Sequence, residues 1–393
     1  MRLEFNRLGF SMKNESIIFI ACITVFLAQL GMTMYLPALP IIAEAFSSPA
    51  QDVSLSLPAF LIGMAAPMLV WGSLSEKYGR KTMLSVSLLS YAICSAGISL
   101  VYDTEMFILL RFLQGLGASG MSVMSRIMIR DRFSGALLSK SLSWLSIAFV
   151  VSLGVGQYLG AVLLVSLGWQ AIFLSLAIAT LLLFLVLIRL PSPNVQPSSN
   201  SLSFLATYAK LLHSRDFFLP ALAGGLGYGV IIVFNTNAPF IFQGAFGWSA
   251  SEYGLLGWPI SLAYLVGAWL VNRYVIRKGN TFFVLMGLSI LLFSCTVMLF
   301  GSILLLPLLL WVPYCLGVAG QAMNYPVSMA IATENAPIKG PYAMALCGFM
   351  HQLMAAVIGV VASILPGEYI WMSTGLMCAL AMAALVVIMR TRP

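Results

Sequence analysis

The segment WGSLSEKYGRK (71–81) places Glu76, Lys77, Arg80 and Lys81 within six positions of a chain in which 8% of residues are charged. A carboxylate and a guanidinium there can pair, and Asp131 offers Arg80 a second partner. Gly72 and Gly79 bracket the cluster; without a Cβ, Gly72 lets a neighbouring helix backbone come close. Glu76 can also accept from the free N–H groups of a helix opening at KGPYAM (339–344), where Pro341 suits the first turn. Lys77 and Lys81 read as solvated. Two further residues carry possible chemistry inside apolar surroundings: Arg111, and His351 with Gln352 beside it. Histidine changes charge in the physiological range; the second one, His213, lies in a polar stretch and reads as solvated.

Hydrolytic or redox chemistry finds no support. Cys22, Cys94, Cys295, Cys315, Cys347 and Cys378 are scattered without a C-x-x-C pair, and no zinc spacing, nucleophile elbow or phosphate loop occurs. No enzyme activity, metal or cofactor is expected.

The elements that must position these residues are membrane helices. The chain of 393 residues is 61% hydrophobic, with a mean hydropathy of +0.99, outside the range of soluble domains. Runs such as 16–40 and 82–102 exceed the roughly 20 apolar residues a bilayer crossing needs. The first run is too long for a cleaved leader and reads as a retained helix. Hydropathy gives about twelve segments: 17–38, 53–74, 82–101, 106–127, 140–163, 169–190, 217–241, 253–272, 282–300, 304–326, 342–364 and 369–389. Strand-like alternation is missing, so a barrel is not expected.

Charge sets the orientation. With the N-terminus inside, 19 of the 20 basic residues fall in cytoplasmic segments, while the outer loops carry Glu44, Asp52, Asp103, Glu105, Glu252 and Glu368. The net charge of +8 is therefore a topology signal rather than one for nucleic acid. The Pro-, Ser- and Asn-rich stretch 191–216 divides the chain into a six-helix half at 1–190 and another at 217–393, with a short amphipathic helix expected around 202–212. NRYVIRK (272–278) follows the eighth segment much as EKYGRK follows the second, an offset of 272 − 76 = 196.

GSLSEKYGRK resembles the loop 2–3 signature of the major facilitator superfamily, and RFLQGLGASG (111–120) resembles its helix 4 signature. MYLPALP (34–40), RDRF (130–133) and APFIFQGAFGWSASEYGLL (238–256) are similar to its Bcr/CflA drug-resistance branch. The resemblance spans most of the chain. It implies an all-α membrane protein with twelve transmembrane helices in two pseudo-symmetric six-helix halves. It also implies alternating access, in which Gly72, Glu76, Gly79, Arg80 and Asp131 form a cytoplasmic latch holding the halves together while the outside is open. Two positions depart from the branch: Thr33 stands where an acid is common in helix 1, and Gln157 where a Pro is expected in helix 5.

By the same analogy helices 1, 4, 7 and 10 line the substrate path, which nominates Gln29, Tyr35, Gln114, Tyr228, Asn235, Asn237, Gln321 and Asn324. Each can alternatively be an interhelical hydrogen bond that holds the bundle. Arg111, about 8 Å deep at the helical rise, either snorkels to the outer interface or takes the family role of tuning a protonatable group or holding an anionic one. His351 is either a neutral imidazole bonded to a helix carbonyl or, with Gln352 next to it in the cavity, the proton-coupling group; Glu76 and Asp131 are the other candidates. The 22 Met and 24 Phe suit a soft wall for varied apolar molecules. The expectation is a monomeric proton-coupled exporter of amphipathic drugs in the bacterial inner membrane, both termini cytoplasmic, with the lipid bilayer, protons and the substrate as its partners. A dedicated carrier of a natural metabolite is the alternative.

Overall fold

The computed structural model describes residues 14–133, 135–189, 204–338, 341–365 and 369–391. The helices of eight residues or more in the first half are α1 (Asn14–Thr33), α2 (Ser56–Ala65), α3 (Trp71–Tyr78), α4 (Arg80–Ile98), α5 (Thr104–Arg132), α6 (Gly135–Leu167) and α7 (Trp169–Arg189). The connecting helix is α8 (Phe204–Leu212). In the second half the helices of that length are α9 (Arg215–Phe240), α10 (Gly257–Lys278), α11 (Asn280–Ile303), α12 (Pro307–Glu334), α13 (Pro341–Ser363) and α14 (Ile370–Met389). Among the described residues, ten stretches are long and apolar enough to cross a bilayer. The interrupted pair α2–α3 and the proline-bearing α12 complete the twelve spans of the fold. Of the connecting stretch, α8 confirms the amphipathic helix; residues 190–203 lie outside the described ones.

The second span, expected as one helix over 53–74, is broken. Pro67 has no N–H to donate and clashes with the preceding turn, so α2 ends at Ala65 and five residues of turn precede α3. Two joints mirror each other across the halves. Gly79, between α3 and α4, sits at φ +90°, and Gly279, between α10 and α11, at φ +82°. Only glycine adopts that region without cost. Pairing these hinges gives a repeat offset of 279 − 79 = 200, which corrects the 196 read from the charged motif, because the second copy carries extra residues before its glycine.

Within each half the helices approach closely through glycine, as van der Waals packing in a bilayer requires. A Cβ on Gly115 of α5 would strike the Phe60 carbonyl of α2, and one on Gly160 of α6 the Met34 carbonyl after α1. Large apolar side chains such as Leu182 and Phe293 point outward, 58% and 62% exposed. In water such exposure would be unfavourable; against lipid it is the expected surface.

The halves press together at the end of the bundle distal to the start of α1. There Gln243 donates to the Pro37 carbonyl at 3.0 Å, and the Gly359 backbone of α13 leaves no room for a Cβ against Pro58 of α2. Deeper in, Ser261 of α10 donates to the Val150 carbonyl of α6 at 3.0 Å, and Gly154 faces Gly257 backbone to backbone. Tyr208 of α8 reaches across the proximal end to the Leu69 carbonyl at 3.5 Å. Burial, then the neighbouring Tyr342 hydroxyl, pushes Tyr208 up to about 12, so this contact is a neutral one.

Candidate functional site

The charged cluster forms within the first half. The Gly79 hinge turns the chain so that Arg80 opens α4 beside the end of α5, and its Nε donates to Asp131 Oδ2 at 3.1 Å. The same guanidinium donates to the Ser75 hydroxyl and stands 3.9 Å from Glu76 Oε1. Lys81, expected to be merely solvated, donates to the Ile188 carbonyl at the end of α7 at 3.0 Å. Gly72 has open space where a Cβ would stand, so the close helix approach expected there is absent from this conformation. The partners expected at Lys339 and Gly340 lie outside the described residues.

Arg111 does not snorkel. It is fully buried, donates to the Gly31 carbonyl at 2.9 Å and to Gln114 Oε1 at 2.5 Å, and lies 4.1 Å and 4.5 Å from the ring centres of Tyr35 and Phe60. Its Nε and remaining Nη have no conventional acceptor; the ring faces take that place, as aromatic quadrupoles do for cations. Gln114 in turn donates to Ser95, and Tyr35 bonds Ser56. Arg111, Gln114 and Tyr35 are thus closed upon one another, and the cavity-lining role expected for them is not what this conformation displays. Tyr314 stands seven positions into α12, as Arg111 does into α5, and meets Asn235 of α9 at 3.5 Å. Asn237 is likewise spent, on the Ala362 carbonyl and the Ser373 hydroxyl. Thr33, at the place of the branch's usual acid, donates to the Ser152 carbonyl at 3.2 Å. Gln29 is buried on α1.

A second group keeps hydrogen-bonding capacity to spare. Asn324 donates to Gln321, leaving Gln321 Nε2 and Asn324 Oδ1 without partners; Gln352 Oε1 and His351 Nδ1 are also unmatched. His351 is fully buried, with Nε2 3.6 Å from Cys347 Sγ and its ring 4.8 Å from that of Tyr325. Tyr325 meets Tyr228 at 5.5 Å, and the Tyr228 hydroxyl contacts Met32 of the first half at 3.7 Å. In the first half, Ser119 and Ser122 of α5 are also buried hydroxyls without partners. Sequence reasoning misses Tyr325, Ser119 and Ser122. Ser119, Ser122 and Arg126 recur at helical spacing on one face of α5, which is the signal that could have found them. Buried polar groups are normally satisfied, so the unmatched atoms of Gln321, Asn324, His351 and Gln352 make this part of α12 and α13 the candidate place for a ligand's polar groups.

A family profile, Major Facilitator Superfamily, matches residues 21–359. The uncharacterized MFS-type transporter YdgK of Bacillus subtilis is 33% identical over 255 residues, which is 63% of this chain and 63% of that relative's own length. A chloramphenicol resistance protein of Pseudomonas aeruginosa is 30% identical, covering 83% of this chain and 75% of the relative. A bicyclomycin resistance protein homolog of Haemophilus influenzae is 26% identical over 85% of each. Among solved structures, a D-xylose-proton symporter superposes with a TM-score of 0.78 at 16% identity, covering 96% of this chain and 98% of that one. The Bacillus relative and the solved symporter are named as transporters, and the names of the two resistance proteins carry the Bcr/CflA resemblance. The chain is a multi-pass membrane protein that belongs to the Major Facilitator Superfamily.

Proposed function

We propose that the protein exports amphipathic drug-like molecules against protons by alternating access. The observation that carries this reading is the set of unmatched polar atoms on α12 and α13, beside Tyr228 and Tyr325, in a molecule whose two halves are pressed together at one end. Adaptable aromatic walls with a few free hydrogen-bond groups suit varied amphipathic ligands, and relatives named for chloramphenicol and bicyclomycin resistance point to the same class. The site lies in the inner membrane of a bacterium, in a monomer with both termini cytoplasmic. The halves divide at 190 and 217. On this topology the closed distal end is external and the cavity is reached from the cytoplasm. Gln321, Asn324, His351 and Gln352 receive substrate, His351 is the leading proton group, and Glu76, Arg80 and Asp131 form the latch.

The deciding experiment uses purified protein in sealed vesicles. An imposed pH gradient should drive labelled chloramphenicol uphill, and adding chloramphenicol should move protons the other way. Should neither flux occur while a natural metabolite is carried, the dedicated-carrier reading takes its place.

A further inference from the structure

Gln321 and Asn324 stand three residues apart on one face of α12, 3% and 0% exposed. Asn324 Nδ2 donates to Gln321 Oε1 at 3.0 Å. Two facing amides can close on each other with two hydrogen bonds, and these make one. Gln321 Nε2 and Asn324 Oδ1 are left over, a buried donor and a buried acceptor. Turning both amides over exchanges the roles and still leaves one donor and one acceptor. The backbone of α9 seats the pair. A Cβ on Gly227 would strike Gln321 Oε1 and Asn324 Nδ2, the two bonded atoms. The free atoms are therefore the ones turned away from α9. Tyr228 and Tyr325, next in sequence to Gly227 and Asn324, set their rings 5.5 Å apart and are half-buried. The Tyr228 hydroxyl reaches Met32 of the first half at 3.7 Å. Aromatic rings thus stand one residue along from the amide pair on both helices.

We infer that the Gln321–Asn324 pair reads a neutral amide edge of the substrate, a C=O and an N–H side by side, as in a lactam, a cyclic imide or a primary carboxamide. This deepens the export reading above and rests on it. Gln321 Nε2 donates to the ligand carbonyl, and the ligand N–H donates to Asn324 Oδ1. Both leftover atoms are then satisfied, as buried polar groups normally are. A lactone of the same shape sets an ether oxygen against Asn324 Oδ1, acceptor against acceptor, and leaves that atom unpaired. A site built to hydrogen-bond an N–H rejects the analogue lacking it far more strongly than a pocket rejects a missing methylene. The apolar part of the ligand meets the tyrosine rings, so the preferred class is neutral amide-bearing amphipaths over esters and lactones of equal size.

Phenylcarbostyril, its N-methyl derivative and phenylcoumarin test the inference, with the phenyl group at the same ring position in each. They share a ring frame, and only the first carries the lactam N–H. Binding of each to the purified protein in detergent is measured by equilibrium dialysis, with empty micelles subtracted. The wild type should hold phenylcarbostyril at least about tenfold more tightly than the other two, a factor that corresponds to 1.4 kcal/mol. Asn324→Leu and Gln321→Met should each bring the three compounds within about threefold of one another, by weakening phenylcarbostyril and leaving phenylcoumarin little changed. Gly227→Ala should have the same effect without removing a polar atom, because its Cβ displaces the bonded edge of the pair. Equal affinities in the wild type, or a lactam preference that survives both Asn324→Leu and Gln321→Met, overturn the inference. If those variants do not fold, the wild-type ratio still decides. Absence of chloramphenicol flux with the lactam preference intact sinks the export reading alone, whereas chloramphenicol flux with equal affinities sinks this one.

Discussion

His351 and Arg111 are both ionisable residues inside apolar helices, and their surroundings assign them opposite tasks. The Ala221 carbonyl faces the His351 ring, but Nδ1 has no hydrogen bond of good geometry, so the imidazole keeps a site for a proton or a ligand. His351→Gln preserves a polar side chain that cannot change charge. The variant should fold, exchange substrate downhill, and lose accumulation driven by a pH gradient, while binding becomes nearly independent of pH, since proton and substrate affinities are reciprocally linked. Uphill accumulation at wild-type levels would move the coupling role to Asp131 or Glu76. Arg111, by contrast, is held on every side. Arg111→Lys retains the charge but loses the planar group stacked on Tyr35 and Phe60. It should cost about 2 kcal/mol, seen as an earlier thermal transition in detergent with substrate affinity little changed. The rarity of both residues is legible in the sequence but their company is not: which rings surround Arg111 depends on Phe60 and Phe173, remote in the chain and marked by no motif.

At the scale of elements, hydropathy locates the twelve spans because a bilayer imposes length and apolarity on each one separately. The break in the second span is also written in the chain, at Pro67, whereas the depth of each helix against its neighbour is not. That depends on which glycines face another backbone, and 33 glycines do not announce their partners. Gly63 of α2 and Gly115 of α5 face each other, since a Cβ on either would strike a backbone carbonyl of the other helix. Gly375 of α14 has nothing within 4 Å of that position. Gly115→Ala should therefore cost about 1–3 kcal/mol through overpacking and lower the yield of folded protein. Gly375→Ala should be neutral or slightly stabilising, because alanine is the better helix former. Equal thermal transitions for the two variants would mean that α2 and α5 can part without loss.

For the molecule as a whole, the spacing of the charged motif is enough to suggest a latch, but not the conformation in which it would act. Among the described residues, the charged cluster makes its contacts within the first half. Arg80 is bound to Asp131 and loosely to Glu76 inside one half, Gly72 faces open space, and the distal end is closed through Ser261 and Val150. If the latch holds the opposite, distally open conformation, weakening it must shift the population toward the closed one, by the free energy it contributes to the other state and no more. A cysteine pair at Val150 and Ser261 reports that population, because the two positions meet only when α6 and α10 are together at this depth. In the Val150→Cys/Ser261→Cys background, adding Glu76→Gln or Arg80→Ala should speed disulfide formation, roughly three- to tenfold for a latch worth about 1 kcal/mol. Glu76→Gln should act without disturbing the 3.1 Å Arg80–Asp131 pair, so its effect isolates the contact between halves. Substrate affinity should change little while turnover falls, and the fully cross-linked protein should not transport. A slower cross-link in Glu76→Gln would show that the acid stabilises the distally closed form instead, and the latch would have to be assigned to that conformation.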